Sequence, residues 1–185
     1  MSNFEFIPNE EQYQNSNIYK FMKKHNISSL EELSEKSKNN LEWFWESVEK
    51  DIGIVWDTPY TKTLDTSNGI PWTKWYVEGK TNLYKSSVEK FTKQTPEKIA
   101  YNFISEDGIE TKLSYVELNT KVSKLANVFK SLGVKKGDVI AIYLPMIEEA
   151  IVSILAAAKI GAVQTIVFSG YSSESLKTRL QDCHA

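Results

Sequence analysis

The chain has 185 residues, of which 41% are hydrophobic and 25% are charged. That balance belongs to a globular chain and excludes a disordered polar one. A formal net charge of −2 provides no overall field for nucleic acid or an anionic membrane. The longest clean apolar stretch, "AIVSILAAA", ends at Lys159 and is too short to cross a bilayer.

Cys183 is the only cysteine, so no intrachain disulfide can form, and a reducing compartment fits. His25 and His184 are the only histidines and lie far apart in sequence, so no Cys/His metal site is expected. Cys183 and His184 are neighbours, but adjacent side chains on a helix do not face each other, which argues against a catalytic dyad. The start, "MSNFEFIPNEEQ", is acidic and lacks a basic-then-apolar leader, so the expected location is cytoplasmic.

In chain order, residues 11–24 read as a helix with Tyr13, Ile18, Phe21 and Met22 inward. "SSLEELSEKS" begins a second helix, with Ser28 or Ser29 as its cap and Glu31 or Glu32 three residues on. "NLEWFWESVEKDI" predicts a third, presenting Leu41, Phe44, Trp45 and Val48 at helical spacing and stopping at Gly53. "DTPYTKTLDTSNGIPW" reads as a long loop with two prolines and an Asn-Gly turn. All five tryptophans lie in residues 1–76, where large rings pack irregular structure at low entropy cost.

The remainder is more regular. "KIAYNFI", "EDG" and "IETKL" predict a hairpin. Ser114 and Glu117 form a capping box ahead of a stripe made by Leu118, Val122, Leu125, Phe129 and Leu132, with Gly133 behind it. "DVIAIYL" and "AVQTIVF" are apolar strands on either side of a helix over residues 147–160 that ends at Gly161. Residues 172–182 predict a last helix, with Leu176 and Leu180 on one face. Apolar strands that alternate with helices imply an α/β fold whose parallel sheet is covered on both faces. In such a fold a strand would follow the last helix, so the chain reads as cut. A sheet stopped there is expected to leave an edge and an apolar helix face uncovered, and to aggregate readily.

Several chemical motifs fail. "EGKT" at 78–81 lacks the glycine that a phosphate-binding P-loop needs at position 74, which is Lys74. G-x-G-x-x-G occurs nowhere. Glu148-Glu149 opens a helix and Glu106-Asp107 sits in a hairpin turn, so both acid pairs have structural roles. "FSGYSSE" at 168–174 is left. It lies at the carboxyl end of a strand entering a helix, where ligands of open α/β sheets sit and where a helix N-terminus favours an anion. The same residues also suit a plain turn capped by Ser172 or Ser173.

The run "LSYVELNTKVSKLANVFKSLGVKKGDVIAIYLPMIEEAIVSILAAAKIGAVQTIVFSGYSSESLKTRLQD" resembles the opening of the AMP-forming acyl-CoA synthetase domain. Its "FKSLGVKKGD", "PM", "AAAKIGA" and "VFSGYS" segments carry the likeness, which is strongest to the acetyl-CoA synthetase branch. "NLEWFWE" and "KWYVEGKTN" resemble that branch's N-terminal region. The resemblance implies residues 1–80 as that mostly helical or irregular region. It implies 81–185 as the beginning of the AMP-binding domain, a parallel sheet with crossover helices.

The resemblance further implies an ATP-dependent ligase in which a carboxylate gives an acyl-adenylate and CoA displaces AMP, with Mg²⁺ assisting. Its partners would be a small-molecule carboxylate, ATP and CoA, with no nucleic acid and no membrane. Phe168, Ser169 and Gly170 match the loop that approaches the nucleotide end of CoA, with Ser169 where the family has a first glycine. No catalytic or metal residue is assigned. The phosphate loop, adenine segment, hinge, acyl pocket and catalytic lysine are expected beyond residue 185, so these residues alone should form no acyl-AMP and bind CoA weakly at best. A ligase for propionate or a hydroxy acid is an alternative. A non-catalytic scaffold for protein binding is another.

Overall fold

The computed structural model describes residues 6–185. The first five residues of the acidic N-terminal stretch lie outside the described residues. The chain opens with α1 (Glu10–Asn15), α2 (Asn17–Lys24), α3 (Leu30–Asn39) and α4 (Leu41–Ile52). Short strands follow: β1 (Trp56–Thr58), β2 (Lys62–Asp65), β3 (Lys74–Val77) and β4 (Lys80–Thr81). Next come α5 (Lys90–Gln94), β5 (Ile99–Ile104), β6 (Glu110–Ser114), α6 (Tyr115–Ser131), β7 (Val139–Leu144), α7 (Glu148–Ile160), β8 (Val163–Phe168) and α8 (Ser173–Cys183). The chain divides into two compact units: residues up to Ile54 with Pro59–Gly79, and Val55–Thr58 with Lys80–Ala185.

In the first unit the single helix expected over 11–24 is two helices. Ser16 is extended (φ −66°, ψ 148°), and its hydroxyl caps α2 by accepting from the Tyr19 amide at 3.2 Å. Asn15, Ser16 and Asn17 offer the backbone side-chain partners that compete with helix, so the helix restarts there. Ile18, expected inward, is 45% exposed, while Met22 is buried with Ile27 and Leu33 under Phe21, Trp43 and Phe44. Ser29 is the cap of α3.

Helix α4 ends at Gly53 in a left-handed conformation (φ 67°), as its spacing predicts. Its expected stripe is only partly correct. Leu41 and Trp45 are exposed, and the buried residues are Ser47 and Glu49. The cause lies in the segment read as a loop, which contains the antiparallel hairpin β2–β3. Thr63 donates to Glu46 (3.3 Å), Tyr60 donates to Glu49 (3.3 Å), and the Tyr76 hydroxyl donates to the Trp45 carbonyl (3.1 Å). Buried Glu49 thus has a hydroxyl partner from the residue range 59–79 that packs on α4. Burial and the nearby Glu49 charge push the Tyr60 hydroxyl above its ordinary pKa.

In the second unit β1 pairs with β4, so "EGKT" ends in a short strand, and Lys85 forms an ion pair with Asp57. The hairpin β5–β6 forms as expected, with Gly108 at φ 77° in its turn. The capping box at Ser114 and Glu117 is present. Leu118, Val122 and Ala126 of α6 pack with Tyr84, Val88, Leu113, Val152, Leu155 and Ala156. Leu132 is 76% exposed, contrary to the expected stripe, because α6 ends at Ser131 and Leu132 occupies the cap position.

Strands β7 and β8 are parallel, in register from Val139 with Val163 to Leu144 with Phe168, and α7 connects them. Burial on both faces does not extend along β8. Val167 is 1% exposed, but Ile166 and Phe168 on the alternate face are 58% and 65% exposed. Among the described residues, nothing covers that side of the strand end.

Candidate functional site at the end of β8

Strand β8 delivers Phe168 to the carboxyl edge of the parallel pair, and α8 leaves from Ser173. Between them Phe168 to Tyr171 make a tight turn, the Tyr171 amide donating to the Phe168 carbonyl at 3.0 Å. Ser172 is the cap of α8, accepting from the Ser175 amide at 3.4 Å. Of the two serines considered for that role, Ser172 has it.

The structure thus brings Phe168, Ser169 and Gly170 together at one strand-to-helix junction. Gly170 has an ordinary backbone, so φ does not require glycine there. Space does. A Cβ at Gly170 would lie 2.6 Å from Cε1 of Phe168. The Phe168 ring therefore lies against the glycine, and it meets Tyr171 edge to face at 6.0 Å. Phe168 and Tyr171 are both largely exposed, so the turn presents aromatic surface and backbone in one place.

Tyr143 and Arg179 escape the motif reading, and Tyr171 lies inside the motif without being assigned a role there. Tyr143, near the end of β7, donates its hydroxyl to the carbonyls of both Ser169 and Tyr171, each at 2.8 Å. The Tyr171 ring stacks under Arg179, whose guanidinium carbon is 4.8 Å from the ring centre. Arg179 is the chain's only arginine. The signal for Tyr143 was its place at the end of the neighbouring strand, where loops of an open α/β sheet converge. Tyr171 precedes the cap of α8 and lies eight residues before Arg179, so helical spacing alone does not pair them.

The junction thus gathers backbone, exposed aromatic rings and one positive charge. No side chain between Phe168 and Ser173 is acidic. One arginine is adjacent, a helix N-terminus follows, and exposed rings suit a base. The other candidates have structural roles. Glu148 pairs with Lys121, and Glu106-Asp107 lies in the β5–β6 turn. The Cys183 thiol lies 3.8 Å from the Leu180 carbonyl, and His184 is the left-handed cap of α8. Among the described residues, no helix is long and apolar enough to cross a membrane.

Comparison with known proteins agrees with this architecture. Residues 30–86 match the acetyl-coenzyme A synthetase N-terminus, and residues 88–185 match the AMP-binding enzyme family. Acetyl-coenzyme A synthetase of Methanothrix thermoacetophila is 40% identical over 172 residues, covering 92% of this chain and 26% of that protein. Propionate–CoA ligase of Escherichia coli is 37% identical over 155 residues, covering 83% of this chain and 24% of that protein. The solved structure of acetoacetyl-CoA synthetase from Streptomyces lividans superposes with a TM-score of 0.85 at 25% identity, covering 95% of this chain and 28% of that one. The chain therefore spans about a quarter of the length of the relatives it matches. With one family match covering more than half of its residues and the other preceding it, the chain belongs to the AMP-binding enzyme family, in the form that carries an acetyl-coenzyme A synthetase N-terminus.

Proposed function

We propose that this chain is the N-terminal part of an ATP-dependent, AMP-forming acetate–CoA ligase of the cytoplasm. The observation that carries the reading is the succession of two family matches, 30–86 then 88–185, with no large gap between them. Residues 1–80 are read as the acetyl-CoA synthetase-type N-terminal region and 81–185 as the beginning of the AMP-binding domain. In the complete protein the carboxylate oxygen attacks the α-phosphorus of ATP, pyrophosphate leaves, and the CoA thiol then displaces AMP to give the thioester. Mg²⁺ would offset phosphate charge in the first step. None of the described residues is assigned to that step.

The part assigned to this chain is on the CoA side. Phe168, Ser169 and Gly170 are read as the loop that meets the nucleotide end of CoA, with Gly170 contributing its backbone. The test is Gly170→Leu in the complete protein. The Michaelis constant for CoA should rise at least about tenfold, as expected when a bulky side chain blocks a close backbone contact. ATP–pyrophosphate exchange should be kept. An unchanged CoA dependence contradicts the assignment. Propionate is the second acyl reading, favoured by the likeness to the Escherichia coli propionate–CoA ligase. The ratio of kcat/KM for acetate and propionate decides between them.

A further inference from the structure

We propose that Tyr143 is a positioning residue for CoA binding, one that engages the two carbonyl oxygens flanking Gly170. This inference rests on the reading of 168–170 as the CoA-facing loop. The Tyr143 hydroxyl has one proton, and it lies 2.8 Å from both the Ser169 and the Tyr171 carbonyl oxygens. These bonds reach across 26 and 28 residues, from one strand end to the neighbouring turn. Within the turn itself, the Tyr171 amide to the Phe168 carbonyl is the local tie.

The physical consequence follows from charge. A phosphate that approaches Gly170 is repelled by carbonyl oxygens whose lone pairs face it. Carbonyls drawn onto Tyr143 have a donor to satisfy them and keep one orientation. The backbone around Gly170 is then set before the ligand arrives, so less ordering remains for binding to accomplish. Arg179, stacked on Tyr171, is held next to the same turn and supplies positive charge. Tyr143 touches no reacting atom in this scheme. It acts through Ser169 and Tyr171.

The experiment uses the complete protein and whichever of acetate and propionate it activates better. Wild type, Tyr143→Phe and Gly170→Leu are compared in CoA saturation and in ATP–pyrophosphate exchange. Loss of a shared hydroxyl proton should raise the CoA Michaelis constant about three- to tenfold in Tyr143→Phe, while exchange stays within about twofold. A general structural role would depress exchange and thioester formation together, and that result overturns the inference. So does an unchanged CoA constant, or a Tyr143→Phe protein that fails to fold. Gly170→Leu separates the two levels. If it alone raises the CoA constant, the loop reading stands and the role of Tyr143 falls. If neither variant changes it, the loop reading itself falls.

Discussion

Ser114 and Glu117 satisfy two backbone donors at the start of α6. The Ser114 hydroxyl accepts from the Glu117 amide at 3.4 Å, and the Glu117 carboxylate accepts from the Ser114 amide at 2.9 Å and the Ser114 hydroxyl at 2.6 Å. Ser114→Ala should lower unfolding stability by about 1 kcal/mol, the usual cost of losing such a cap, measurable by urea denaturation. The bonds from Ser114 hold the Glu117 carboxyl below its ordinary pKa. A depressed carboxyl stabilises the fold above its unfolded pKa, and that contribution fades as pH falls through the folded one. The stability gap between wild type and Glu117→Gln should therefore narrow as pH falls below about 4.3, the ordinary glutamate value. A gap that stays constant from neutral to strongly acidic pH contradicts this role. The box was legible because both partners lie within four residues. For Tyr143 only its place at a strand end is legible; its two carbonyl partners are 26 and 28 residues away and are backbone atoms that no motif records.

At the scale of elements, α6 separates pattern from packing. Leu118 is fully buried and Leu132 is 76% exposed, although both fall on one sequence stripe. Leu118→Ala should cost about 3 kcal/mol through the cavity it leaves. Leu132→Ala should change stability by less than about 0.5 kcal/mol. Equal losses in thermal or urea unfolding would mean that the stripe continues past Ser131. Another lesson comes from α4. Its aromatic stripe suggested an apolar face, yet Ser47 and Glu49 are the buried residues. The hydroxyl partners of α4, Tyr60, Thr63 and Tyr76, come from a loop residue and two strands of four residues, a length at which alternation carries little signal. By contrast β5, β7, β8 and the helices between them are readable from apolar runs or stripes bounded by glycine or a cap, and β6 from the turn ahead of it.

For the molecule as a whole, the order strand, helix, strand and helix identified the α/β region, and the spaced segments from "NLEWFWE" to "VFSGYS" carried the family. The discontinuous second unit was not foreseen. Val55–Thr58 joins it through β1, a three-residue strand whose partner β4 has only two residues. Such pairing is decided by tertiary placement and leaves no periodic trace. The chain spans about a quarter of its relatives, and the site it supplies is one side of a larger reaction centre under the proposed reading. The most direct measurement is product analysis of the complete protein with acetate, ATP, Mg²⁺ and CoA. One AMP, one pyrophosphate and one acetyl-CoA are expected for each ATP consumed. ADP and inorganic phosphate as the nucleotide products, or no CoA-dependent thioester with acetate or propionate, would contradict the proposed reaction.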